Sequence, residues 1–213
     1  MIKSVIGINT SARKNWNTGK LVAEALRGAE SKGAKTELIH LAGLQLTGCN
    51  SCLYCKSKNA IKGKCTIQDD LTPILKKIEN CDALIIGTPI YFATESARYR
   101  VLMERFFPWF EYTSKLTNFP KKIKSGVIFT MNIDEQLAKQ LNYDITFQRA
   151  IITPSCIFGI KSEILPSYNT LQVKDYFKYN IDRFDPKEKY ESRKINFPKD
   201  LERAFKLGQK LVE

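Results

Sequence analysis

Short apolar runs alternate with stretches of helical period along nearly the whole chain, and this alternation constrains the fold more than any other feature. Lys3–Asn9, Thr36–Leu41, Ala83–Gly87, Ser125–Met131 and Ser155–Gly159 read as five strands. Between and after them, Thr18–Lys32, Leu71–Asn80, Glu95–Phe107, Asp134–Arg149 and Pro198–Val212 read as helices. Ala83–Gly87 is continuously apolar, as strands buried on both faces are. Repeated strand–helix alternation implies an α/β fold, a doubly wound five-stranded parallel sheet with helices on both faces. No internal repeat or low-complexity segment interrupts it. At 213 residues the chain suits one domain spanning 1–213. Two stretches break the rhythm: a cysteine-containing loop over 42–68, and a segment over 174–199 where charges mix with Tyr176, Phe177, Tyr179, Phe184, Tyr190 and Phe197. So many aromatics argue against a disordered tail. That segment is expected to lie as an arm across its own domain or a partner subunit.

In open parallel sheets ligands sit beyond the carboxyl ends of the strands, where strand order reverses. Three loops leave those ends. The first, within Gly7–Lys20, is a strand-to-helix turn rich in hydroxyls and amides, with Ser11, Arg13, Asn17 and Thr18 among them. A helix start of this kind suits a phosphate. It equally suits a plain capped turn, since Asn17 and Thr18 are good N-caps. It is not a Walker loop: Leu21 follows Gly19-Lys20, and Lys14 stands where the first glycine belongs. Nor does it have the three glycines of a dinucleotide fingerprint. The second loop, Thr88–Thr94, presents Pro89, Ile90, Tyr91 and Phe92, a surface for a flat ring or a buried hydrophobic turn. The third, Thr130-Met131-Asn132, adds small polar groups.

Other chemistries have little to work with. His40 is the sole histidine and ends a strand, which leaves Ser-His-Asp or Cys-His catalysis without its base. The net charge is 34 − 22 = +12, a balance that attracts phosphorylated cofactors or acidic proteins. No helix-turn-helix, RNA-recognition or finger pattern supports nucleic acid. No apolar run reaches membrane-spanning length, and Met1-Ile2-Lys3 leads directly into a strand. The expectation is a cytoplasmic protein without a signal peptide.

Six cysteines in such a compartment point to metal, redox chemistry or burial rather than disulfides. Cys81 and Cys156 sit beside strands and are expected in the core. Cys49, Cys52, Cys55 and Cys65 are spaced C-x2-C-x2-C-x9-C. Three thiols two residues apart can turn around one [4Fe–4S] cubane, with the fourth folding back to it. Zinc would satisfy the same four thiolates, and free thiols in a plain loop remain the third reading.

Taken together, these motifs resemble the flavodoxin-like NAD(P)H-dependent FMN reductases, and more narrowly their iron–sulfur flavoprotein branch. Thr10-Ser11-Ala12-Arg13-Lys14-Asn15-Trp16-Asn17-Thr18 is similar to the family's phosphate loop, with Ala12 in place of proline and Trp16 in place of glycine. Gly87-Thr88-Pro89-Ile90-Tyr91-Phe92 is similar to its ring loop, and the four clustered cysteines with Asp69-Asp70 to its cysteine motif. The resemblance implies strand order 2-1-3-4-5 and one FMN. Ser11, Arg13, Asn17 and Thr18 would hold the phosphate. Pro89, Ile90, Tyr91 and Phe92 would line the polyol and ring, with Thr130 and Asn132 as a third contact. It further implies NAD(P)H as co-substrate, a small-molecule or protein electron acceptor, and a homodimer or tetramer. An alternative is an electron carrier that docks to ferredoxin-type partners without using nicotinamide.

Overall fold

The computed structural model describes residues 2–213. Six strands, β1 (Ser4–Asn9), β2 (Lys35–His40), β3 (Ala83–Tyr91), β4 (Thr94–Glu95), β5 (Lys124–Thr130) and β6 (Glu163–Ser167), alternate with seven helices. These are α1 (Asn17–Glu30), α2 (Leu71–Asn80), α3 (Ala97–Glu104), α4 (Glu135–Gln140), α5 (Tyr143–Ala150), α6 (Ile152–Phe158) and α7 (Pro186–Val212). The parallel sheet runs β2-β1-β3-β5-β6. That is the order expected of five parallel strands, because the two-residue β4 lies off the path and pairs antiparallel with the end of β3.

The period of two along each strand sends alternate residues to opposite faces. Ile6, Ile8, Leu84, Ile86, Val127 and Phe129 pack under α2 to α6. Val5, Ala83, Ile85, Ile128 and Leu165 pack under α1 and α7. On that second face α1 and α7 approach closely at two glycines. A Cβ on Gly28 would stand 1.9 Å from the Phe205 carbonyl oxygen, and one on Gly208 would stand 1.7 Å from that of Ala25. This approach fixes α7 along α1. With 27 residues against 14, α7 overhangs the start of α1, and Arg193 reaches Asn17 there.

Three expectations are corrected. Ser155–Gly159 is not a strand: Ile152–Phe158 is helical and stops at Gly159, whose φ of 68° gives the left-handed helix end that glycine accepts without a Cβ clash. The fifth parallel strand is Glu163–Ser167. It contains Pro166, but β6 is an edge strand, where a missing N–H is tolerated. The helix expected over Asp134–Arg149 breaks at Asn142, with φ of 56°. Finally, α7 begins at Pro186 and carries Pro198 inside it. Asp185 accepts from the Lys187 N–H at 2.9 Å, and Pro186 takes the first turn, so a capped start lay twelve residues upstream of the proline that looked like one.

The arm packs against its own chain, where Arg193 donates to Asn17 Oδ1 at 3.0 Å. Tyr176 is buried, its hydroxyl accepts from the Gln172 N–H at 3.1 Å, and the Tyr190 hydroxyl donates to the Lys174 carbonyl at 3.2 Å. No helix among the described residues is long and apolar enough to cross a membrane.

Candidate functional site

The three loops singled out from the sequence meet in one cleft at the carboxyl edge of the sheet. It is lined by Ser11, Arg13, Asn17, Thr18, Pro89, Ile90, Tyr91, Thr130 and Asn132, with Trp16, Met131 and Thr170 to Gln172. Asn9 shapes the first loop: its Oδ1 accepts from the Ser11 N–H at 3.0 Å and its Nδ2 donates to the Lys14 carbonyl at 3.1 Å. Gly19 is required there, since a Cβ would lie 1.9 Å from the Lys14 oxygen. At Trp16, which precedes α1, no side chain caps the helix, and no acidic residue stands in its first turn. Unsatisfied N–H groups and the positive helix end therefore face the cleft. Ser11 Oγ accepts from the Arg13 N–H at 3.2 Å. The Thr18 and Thr130 hydroxyls meet at 2.7 Å.

Other side chains are already committed. The Asn17 amide donates to the Leu171 carbonyl at 2.7 Å, joined there by Trp16 Nε1 at 2.9 Å. Arg13 lies 4.9 Å from the Trp16 ring centroid and donates to the Gln172 carbonyl. Asn132 donates to Gln172 Oε1 at 2.8 Å, while its own Oδ1 is buried without a partner, an acceptor suited to a hydroxyl donor. The segment Thr170–Gln172 was missed in the sequence. It follows β6 as the other walls follow their strands, and misplacing that strand hid it.

The enclosed space is about 90 Å³, well under the roughly 300 Å³ of a site that swallows a whole cofactor-sized ligand. It admits a phosphate and the start of a polyol. A ring would lie outside, against the end of β3. There Tyr91 is half exposed and Phe92 fully so, outside the cleft at the tip of the β3–β4 turn. Phe92 and Ala93 both have positive φ, 49° and 62°. A two-residue turn of this kind favours Asn-Gly, so the tip is strained and holds an aromatic ring in solvent.

On the loop over 42–68, Cys49, Cys52, Cys55 and Cys65 line a second, small cavity of about 10 Å³. Left-handed Ser51 and Leu53 and the short turn Tyr54–Lys56 wrap the first three around it. All four are free thiols. They share this cavity, yet among the described residues no three cysteine, histidine or acidic side chains stand close enough to hold a metal ion. The donor set fits a thiolate-bound group provided the loop opens, since the present cavity barely admits a water. Burial raises the Cys55 thiol, Lys56 opposes this, and the neighbouring Cys65, Cys49 and Cys52 raise it further. The Thr66 hydroxyl, 3.5 Å from Cys52 Sγ, lowers that thiol.

The loop is stapled at its base. Arg105, 1% exposed, donates to Asp69 Oδ2 at 2.7 Å, to the Thr47 carbonyl at 3.0 Å and to the Ile67 carbonyl at 3.2 Å. Asp69 Oδ2 also accepts from the Thr47 N–H, and Asp70 Oδ2 from the Gln45 N–H, each at 2.8 Å. Cys81 is buried as expected, and burial pushes its thiol up to about 12. Cys156 is only partly buried. It lines an apolar cavity of about 380 Å³ with Cys49, Met103, Phe107 and Ile152, because Ser155–Gly159 is an outer helix and not a core strand.

A model of the NADPH-dependent FMN reductase family matches residues 4–150. An iron-sulfur flavoprotein of Methanocaldococcus jannaschii is 44% identical over 104 residues, 49% of this chain and 52% of that one. One from Methanosarcina thermophila is 28% identical over 127 residues, 60% of this chain and 62% of that one. The chain thus spans about half to three fifths of the length of these curated relatives. An NAD(P)H:quinone oxidoreductase from Methanothermobacter marburgensis superposes with TM-score 0.71 over 99% of this chain and 100% of its own, at 13% identity. The azoreductase AzrA gives TM-score 0.63 over 97% and 99%, at 12% identity. Identities this low carry the fold alone.

Proposed function

The chain belongs to the NADPH-dependent FMN reductase family, and from that premise we propose that it is an FMN-dependent oxidoreductase that takes reducing equivalents from NAD(P)H and passes them to an acceptor. The carrying observation is the convergence of the three loops, with Thr18 and Thr130 in hydroxyl contact inside one phosphate-sized cleft. FMN would supply the hydride-accepting ring, and the protein its position and electrostatics. Ser11, Thr18 and the N–H groups at the start of α1 would donate to the phosphate, with Arg13 adding charge. Asn132 Oδ1 would accept from the polyol. Pro89, Ile90 and Tyr91 would border the ring, and Phe92 would cover it. Asn17 would hold the wall through Leu171.

A second reading has its own support in the four thiols on one cavity and the similarity to iron-sulfur flavoproteins. Here Cys49, Cys52, Cys55 and Cys65 would hold one [4Fe–4S] cluster, and the protein would be an electron carrier between ferredoxin-type partners that does not use nicotinamide. The cluster would divide two-electron flavin chemistry into single-electron steps. The exposed Tyr91, Phe92 and Ile145 support assembly as a homodimer or tetramer in either case.

Anaerobic purification followed by an absorbance spectrum, with iron, zinc and flavin analysis, tests both. Flavin bleached on addition of NADH or NADPH supports the reductase. Flavin with about four irons per chain, reduced by ferredoxin but inert to both nicotinamides, supports the carrier. Zinc with no iron uptake removes the cluster. A colourless protein that leaves added FMN fluorescence unquenched removes both readings.

A further inference from the structure

We propose that Lys189 and Arg193, one turn apart on α7, supply the counter-charge for the phosphate of the bound flavin, and so select a phosphorylated flavin over riboflavin. This rests on the FMN site described above. Residues four apart project from one face of a helix, and the overhang of α7 brings that face behind the cleft. Lys189 is 3% exposed. Its ammonium donates to the Asn132 carbonyl and, at 2.5 Å, to Asn169 Oδ1. Arg193 donates to Asn17 Oδ1 at 3.0 Å, with its guanidinium 3.8 Å from the Phe197 ring centroid. Asn17 and Asn132 both line the cleft, so each cation stands one residue behind it, Arg193 behind the first loop and Lys189 behind the third.

Neither cation pairs with a carboxylate among the described residues; the five contacts are to neutral acceptors or to the rings of Phe184, 4.4 Å from the Lys189 ammonium, and Phe197. Taking a charge out of water without a counter-ion is costly. Burial accordingly pushes the Lys189 amine down to about 8, and Arg193 is shifted downward for the same reason. The cleft itself is lined by Arg13 and by no acidic residue. Two poorly compensated cations behind a cleft of hydroxyls and helix N–H groups are complementary to a dianion, and a sugar alcohol without phosphate gives them nothing to neutralise. Lys189 and Arg193 thus act through their charge, from behind Asn132 and Asn17, without touching the flavin.

The test titrates the full chain separately with FMN and riboflavin, following flavin fluorescence at low and high salt. The proteins are wild type, Lys189→Met, Arg193→Met and Arg193→Lys, with folding checked by circular dichroism. Wild type is expected to prefer FMN. Each methionine variant is expected to lose about tenfold in FMN affinity, to keep its riboflavin affinity, and to show a shallower salt dependence. Arg193→Lys is expected to retain most of the preference. Folded methionine variants that bind FMN like wild type overturn the proposal, and so does equal loss of both flavins, which would mark a structural role. Should a methionine variant not fold, Arg193→Lys and the wild-type thermal shift in inorganic phosphate decide. A wild type stabilised no more by phosphate than by chloride counts against the pair. Wild type that binds neither flavin overturns the FMN reading itself.

Discussion

The hydroxyls of Thr18 and Thr130 lie 2.7 Å apart although 112 residues separate them. One opens α1 and the other closes β5, so this hydrogen bond joins the first and third loops of the cleft. Each hydroxyl has a lone pair or proton left over, and Thr18 retains its place at the start of a helix with no side-chain cap.

Replacing Ser11 and Thr18 together by alanine removes two neutral donors from the phosphate end. At about 0.5–1.5 kcal/mol each, the double variant is expected to bind FMN about tenfold or more weakly. Fluorescence quenching titration measures this, and unchanged affinity would place the phosphate elsewhere.

Arg105→Met leaves the Asp69 carboxylate without its partner in the base of the cysteine loop. Breaking a buried pair costs about 3–5 kcal/mol, so urea unfolding is expected to show a loss of that order. Burial would raise the Asp69 carboxyl, but N–H donors from Thr47 and Leu71 and the Arg105 guanidinium outweigh it and hold it below the usual range. Its stabilising contribution is therefore present above the unfolded value near pH 4 and is lost as pH falls through the depressed pKa. The gap between wild type and Asp69→Asn should close in that acid range.

The strained tip offers an opposite test. Changing Phe92-Ala93 to Asn-Gly supplies residues that accept positive φ, and is expected to stabilise by about 1–2 kcal/mol. Thermal unfolding should rise by roughly 2–4 °C per kcal/mol. The same variant should bind FMN more weakly, since the aromatic ring is gone. A gain in stability with no loss of flavin binding would show that Phe92 does not cover the ring.

Lys189 gives a pH prediction. Its folded pKa of about 8 lies below the unfolded value near 10.4, so the unfolded chain binds more protons between those limits. From this group stability rises as pH climbs from about 8 to about 10, and Lys189→Met should remove that slope. FMN affinity should fall over the same range in wild type, as the ammonium loses its proton, and stay flatter in the variant. The charges of Asp134 and Glu188 oppose the effect of burial and favour the charged form of the amine.

Light scattering at micromolar concentration should give a dimer or tetramer mass, because the fully exposed Phe92 and half-exposed Tyr91 and Ile145 are costly to leave in water. A monomer mass would rule this out.

The sequence by itself determined the layered α/β class, four of the five parallel strands, and the loops that form most of the cleft. These follow from local causes: side-chain period, turn chemistry, and the rule that sites lie beyond strand ends. It also brought out the four cysteines, because their spacing is a local pattern. Only the tertiary structure decided that Ser155–Gly159 coils into a helix while Glu163–Ser167 pairs with β5, since a five-residue apolar run has no period long enough to choose. Once that strand was misplaced, Thr170–Gln172 could not be read as a wall. Lys189 and Arg193 lay in a segment of mixed charge and aromatics with no motif. What places them behind the cleft is the close approach of Gly28 to the Phe205 backbone and of Gly208 to the Ala25 backbone, together with the length of α7, a relation between helices more than 150 residues apart that no local pattern carries.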